Sequence, residues 1–199
     1  MLSCTRKGGG SRRPPAALLI LLVLFALALG PMGARTALAE GRYGVGVSGG
    51  LSYDPGDARD FFMVHGMALF DYEEVWKHPA PEPLRFKVEI AVGSTLEDAA
   101  PLVNAGIFAL WYLRGLETEN CRPYVEGGIG GIWSGYSVDG QSERLNFNPQ
   151  LGIGMEIRRK GGEASPLFVA LRLNHASNAG LSSGNRGRNA VAFLAGVYF

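Results

Sequence analysis

The chain has 199 residues, with 19 Lys+Arg against 18 Asp+Glu and 47% hydrophobic residues, a length that suits one domain. Five of the basic residues fall before residue 40, so the remainder carries 14 basic and 18 acidic side chains, which excludes the basic footprint of a nucleic-acid binder. Of the two cysteines, Cys4 and Cys121, only Cys121 lies beyond residue 39, so no intrachain disulfide framework supports the fold.

Residues 1–39 read as a cleaved secretory signal. Arg6, Lys7, Arg12 and Arg13 form a basic start, Ala16 to Leu29 an apolar run, and Ala37-Leu38-Ala39 a small-x-small cleavage site before Glu40. The run is short for a spanning helix, and Cys4 precedes it, which is not where a lipoprotein anchor sits. Residues 40–199 then form the single folded domain.

From Glu40 onward the pattern is alternation with abundant glycine. It predicts strands at 42–53, 59–72, 84–96, 102–115, 122–134, 146–158, 166–177 and 189–199. Turn signals separate them: Asp54-Pro55-Gly56-Asp57, Pro79 to Pro83, Gly161-Gly162, and Gly184 to Gly187. In the third strand Phe86, Val88, Ile90 and Val92 oppose Lys87, Glu89, Ala91 and Gly93. Further on, Leu151, Ile153, Met155 and Ile157 alternate with Gln150, Gly152, Gly154 and Glu156, and Leu167, Val169, Leu171 and Leu173 with Phe168, Ala170, Arg172 and Asn174. One face is apolar; the other is small and polar with a few charges.

Small residues suit the tight lumen of an eight-stranded barrel, and backbone satisfaction in lipid demands that the sheet close. The predicted fold is therefore all-β: an eight-stranded antiparallel up-and-down transmembrane β-barrel. Lys87, Glu89, Glu126, Glu156 and Arg172 are expected to pair inside it, because an unpaired buried charge is costly. The final strand ends on Phe199, which resembles the C-terminal signature of bacterial outer-membrane barrels. With the signal, this makes the bacterial outer membrane the expected location, with both termini periplasmic and the seventh strand running outward.

The seventh strand carries the candidate chemistry. His175 and Ser177 lie two residues apart, on the side shared by Leu171 and Leu173. A histidine beside a serine hydroxyl is the core of nucleophilic acyl transfer. By itself the spacing is also that of two polar strand-end residues near lipid headgroups. Asn189 has the parity of Val191 and Phe193, and a hairpin pairing 177 with 187 sets 175 opposite 189. No carboxylate occurs between Glu163 and the end of the chain.

The run His175-Ala176-Ser177-Asn178-Ala179-Gly180-Leu181, followed by Asn185 and Gly187, resembles the lipid A 3-O-deacylase (PagL) family of outer-membrane barrels. A looser likeness extends through Arg122 to Gly128 and Phe147 to Gly154. The resemblance implies an esterase that removes the 3-hydroxyacyl chain ester-linked at position 3 of lipid A. It implies Ser177 as nucleophile, His175 as general base and Asn185 as an oxyanion donor, with further backbone donors near Asn178 to Gly180.

Asn189 departs from the pattern, which has glutamate there. A neutral amide holds the imidazole tautomer but stabilises the imidazolium less than a carboxylate does, so the expected enzyme is slow, with Asn189 as the third catalytic residue; an acid from a distant part of the chain is the other reading, for which lumen-facing Glu126 and Glu156 are poorly placed. No cofactor or metal is expected, since His65 and His78 are remote in sequence and show no ligand spacing. Arg186 and Arg188 are candidates for lipid A phosphates or plain solvated loop charges, and Trp76, Trp111 and Trp133 for membrane-interface anchors or packing. The expected partners are lipopolysaccharide (lipid A) as substrate and outer-membrane lipids, with a homodimer left open and no nucleic acid. A non-catalytic structural barrel and an esterase on another acylated lipid are the competing readings.

Overall fold

A computed structural model describes residues 41–56, 58–158 and 165–199. The signal expected over 1–39 and the Gly161-Gly162 turn lie outside the described residues. Among the described residues the strands are β1 (Arg42–Asp54), β2 (Phe61–Asp71), β3 (Leu84–Thr95), β4 (Pro101–Tyr112), β5 (Cys121–Ser134), β6 (Leu145–Phe147), β7 (Gln150–Ile157), β8 (Leu167–Ala176) and β9 (Arg188–Tyr198), with a short α-helix, α1 (Tyr72–Trp76), and a single 3-10 turn at Arg114–Leu116. Each pairs antiparallel with its sequence neighbour, and β9 returns to β1 to close the ring. Both β6 and β7 pair with β5. They are one strand interrupted at Asn148-Pro149, where the proline has no N–H to give the ladder. The result is the expected eight-stranded barrel.

The alternation resolves as predicted. Val45, Val47, Ile90, Leu151, Ile153, Leu171, Leu173 and Phe193 stand exposed on the outer wall. Closure satisfies the backbone, and an apolar outer wall is the face such a barrel gives to lipid. Trp76 and Trp111 lie near the end that carries the chain termini; Trp133 lies toward the opposite, loop end. Trp76 packs edge-on against Phe86, with ring centroids 5.7 Å apart.

Inside, the half near the termini is filled by Phe108, Tyr112, Tyr124, Phe168 and Tyr198 with Met67, Leu69, Leu110 and Leu194. The lumen glycines make room for these rings. A Cβ on Gly154 would stand 2.5 Å from the Tyr124 ring, and one on Gly196 would stand 2.4 Å from that of Phe168.

Next to this aromatic layer sits a buried ionic cluster. Lys87 Nζ reaches Glu126 at 2.5 Å and Glu89 at 3.3 Å. Arg172 donates to both Glu89 oxygens at 2.7 and 2.9 Å and to Glu126 at 2.6 Å. Two cations thus meet two carboxylates, as buried charges must. Glu156 is not part of it: it pairs with Arg42 at 2.7 Å and accepts the Tyr112 hydroxyl. Residue parity identified Glu156 as a lumen charge, but Arg42 opens β1 and carried no partner signal in the sequence.

Candidate active site

The site lies at the loop end, on the outer wall of the β8–β9 hairpin. His175 pairs in register with Asn189. Its Nδ1–H donates to Asn189 Oδ1 at 2.7 Å. A proton on Nδ1 leaves Nε2 with its lone pair, the form a general base needs. Ala176 points into the lumen, while His175 is exposed and Ser177 half-buried, so alternation sets the serine on the histidine's side. Ser177 lies one residue past β8 and stays in the sheet through a bridge to Phe147, with N–H···O contacts of 3.0 and 2.8 Å. Behind Asn189 stands a residue that sequence reasoning missed. The Asn189 Nδ2 group donates to Asp54 Oδ2, from the end of β1, at 2.9 Å.

The loop from 177 to 187 is held by Asn178, which is buried. Its Nδ2 donates to Gly184 O at 3.1 Å and its Oδ1 accepts the Gly180 N–H at 2.9 Å. Its own N–H donates to Asn185 Oδ1 at 2.8 Å. Ala179 and Gly180 are both left-handed, at φ 54° and 76°, the second a conformation that favours glycine. The loop is also tied to residues 140–143: Arg186 N–H donates to Gly140 O at 2.9 Å, Ser142 N–H to Gly184 O at 3.1 Å, and the Ser182 hydroxyl to Glu143 at 3.1 Å.

This network narrows the expected set of oxyanion donors. The N–H groups of Asn178 and Gly180 are already committed, which leaves that of Ala179. Asn185, with its oxygen occupied, keeps its Nδ2 hydrogens available. Arg188 is also corrected. It faces the lumen, 7% exposed, and donates to Ser134 Oγ at 2.7 Å, because β9 begins one residue earlier than predicted and residue 188 takes inward parity. Arg186 remains exposed.

The lumen holds a separate serine–histidine–carboxylate arrangement, which no spacing in the sequence announces. Ser48 Oγ lies 2.7 Å from His65 Nε2, and His65 Nδ1 lies 2.9 Å from Glu89 Oε1. Its members come from β1, β2 and β3, so only strand pairing brings them together. All three are buried, and Glu89 is also bound by Arg172 and Lys87. The arrangement belongs to the ionic network that fills the barrel. Among the described residues, no group of three or more His, Cys, Asp or Glu side chains is placed to hold a metal.

The sequence profile of one protein family, Lipid A 3-O-deacylase (PagL), matches residues 64–198. The chain belongs to that family. The crystal structure of the outer membrane enzyme PagL is similar at 18% identity and a TM-score of 0.54, covering 77% of this chain and 98% of that one. Neisserial surface protein A (NspA) is similar at 15% identity and a TM-score of 0.53, covering 80% and 97%. At such identities the likeness is one of fold. No curated protein sequence matches. Family and fold together place the chain in the bacterial outer membrane, and the PagL family implies lipid A deacylation.

Proposed function

We propose that the protein is an outer-membrane esterase that removes the 3-hydroxyacyl chain ester-linked at position 3 of lipid A, with Ser177 as nucleophile. The observation that carries this reading is the His175–Asn189 hydrogen bond on the lipid-facing wall. It leaves Nε2 as the base on the side shared with Ser177. Below it, Leu173, Leu171 and Phe193 form an exposed apolar track along the wall, a surface suited to an acyl chain.

His175 takes the Ser177 proton as Oγ attacks the ester carbonyl. Asn185 Nδ2 and the Ala179 N–H are the donors available to the oxyanion, each such donor typically contributing about 3 kcal/mol. The C–O bond to the sugar breaks, and His175 returns the proton to the departing 3-hydroxyl. Water then cleaves the acyl-enzyme by the reverse proton path, releasing a 3-hydroxy fatty acid. Exposed Arg186 is the cation on this loop available to a lipid A phosphate.

Mass spectrometry of lipid A from cells expressing the protein tests the reaction. Loss of a single ester-linked 3-hydroxyacyl chain is expected. Unchanged lipid A would favour a structural barrel, and release of fatty acid from phospholipids instead would favour a different lipid esterase.

Two variants test the assignment. Gly187→Ala places a Cβ 2.4 Å from His175 Cε1, which tilts the imidazole away from Asn189. Deacylation should fall about 10²-fold while the barrel still folds; an unimpaired variant would show that the ring's place does not matter. Ser48→Ala removes the lumen serine. Lipid does not reach that hydroxyl, and the neighbouring backbone N–H groups belong to the β1–β2 and β1–β9 ladders. Its deacylation rate should stay within about twofold of the parent, and loss of activity would move the nucleophile into the barrel.

A further inference from the structure

We propose that Asp54 is a positioning residue of the acyl-transfer site, acting on His175 through the Asn189 amide. The inference rests on the reading of His175 and Ser177 given above. Along β1, odd-numbered Val45, Val47, Leu51 and Tyr53 point outward and even-numbered Gly44, Gly46 and Ser48 inward. Continued regularly, that parity turns Asp54 into the lumen and sets Tyr53 opposite Asn189. Instead the β1–β9 register shifts between Ser52 and Asp54, so that Asp54 is the partner of Asn189. A bulge is a device that re-aims a side chain at the end of a strand. Here it delivers a carboxylate to the outer wall, 2.9 Å from the Asn189 amide nitrogen.

The chemical consequence follows from what each group can donate. A carboxylate only accepts hydrogen bonds. Asp54 therefore holds the Nδ2 side of the Asn189 amide and turns Oδ1 toward His175. That oxygen also only accepts, so the imidazole must present Nδ1–H, and Nε2 is left as the base. The carboxylate polarises the amide, making Oδ1 a stronger acceptor as positive charge develops on the ring. The order serine, histidine, amide, carboxylate thus supplies from β1 the negative charge that the β8–β9 hairpin lacks.

The test uses purified, folded full-length protein and lipid A carrying an ester-linked 3-hydroxyacyl chain at position 3. Asp54→Asn should lower kcat about tenfold and leave KM within about twofold, because the charge acts on the proton transfer and not on the lipid. Asp54→Ser reads the same loss should the first variant fold poorly. Asn189→Glu alone should not rescue the enzyme, since it sets two carboxylates at hydrogen-bond distance and one must take up a proton. Asp54→Asn combined with Asn189→Glu exchanges charge and amide, and should restore kcat to at least the parent level.

Parent-level kcat in both Asp54 variants, an effect confined to KM, or a double variant no faster than Asp54→Asn each overturns the proposal. Ser177→Ala assayed in parallel separates the two levels of inference. If it deacylates normally, the serine reading fails. If it is inactive while the Asp54 variants are unaffected, only the role of Asp54 fails.

Discussion

Ser177→Ala is expected to abolish lipid A deacylation, with a loss of at least about 10³-fold and no loss of barrel assembly. The magnitude follows from the chemistry. Without Oγ no acyl-enzyme forms, and His175 has no nucleophile to deprotonate. What remains is the catalysis that the oxyanion donors and lipid binding give to adventitious water, and residual rates in serine hydrolases stripped of a triad member lie about 10³–10⁴-fold above the uncatalysed reaction. Assembly should be untouched, because Ser177 contributes to the sheet only through its backbone bridge with Phe147. The comparison should be made on protein shown to be folded by heat-dependent mobility in gel electrophoresis. A folded alanine variant that still releases the 3-hydroxyacyl chain at an appreciable fraction of the parent rate sinks the nucleophile assignment. His175→Ala should match it closely, since members of one proton-transfer unit are not additive.

The second large effect is on stability. Arg172 is 3% exposed and makes three hydrogen bonds to the carboxylates of Glu89 and Glu126. Arg172→Met keeps much of the side chain's volume but leaves Lys87 as the cation facing both carboxylates. Breaking a buried ion pair from one side typically costs about 3–5 kcal/mol. The barrel should unfold in urea at a distinctly lower midpoint than the parent. Arg172→Lys should fall between the two, since it restores the charge without the planar fork that spans both Glu89 oxygens. An unfolding midpoint for Arg172→Met equal to the parent's would mean that the ionic cluster contributes nothing to the folded barrel. Because Arg172 faces the lumen and His175 the outer wall, these variants should lower stability far more than the turnover of protein that does fold.

Much of this architecture was legible in the chain because β-strand geometry is written into sequence at a period of two. Leu171, Leu173 and His175 share a parity, and so they share the outer wall. Arg172 has the opposite parity, and it lies in the lumen. The register of β8 with β9 is less directly written, because an eleven-residue loop joins them: pairing 177 with 187 sets Asn189 beside His175, and the strands take that register. Asn148-Pro149 broke one strand in two without altering the count, because a proline removes one hydrogen bond but not the direction of the chain.

Parity fails where the backbone departs from regularity. The bulge between Ser52 and Asp54 inverts the rule for a single residue, and in the sequence Asp54 opens the turn signal Asp54-Pro55-Gly56-Asp57. Arg188 shows the same weakness at a boundary: one residue of error exchanged a surface cation for a lumen hydrogen-bond donor. Spacing is silent in a different way about contacts between distant strands. Arg42 with Glu156, and Ser48 with His65 and Glu89, meet only because the sheet closes and the pleat aims them at one another. The alternating pattern on its own therefore specified a barrel with an apolar wall and a histidine and serine on that wall. Which carboxylate stands behind the histidine, and which N–H groups of the 177–187 loop are left without an internal partner, was decided by chain closure, the bulge and the folding of that loop. Those are products of long-range register and local irregularity, and neither has a fixed spacing in the sequence.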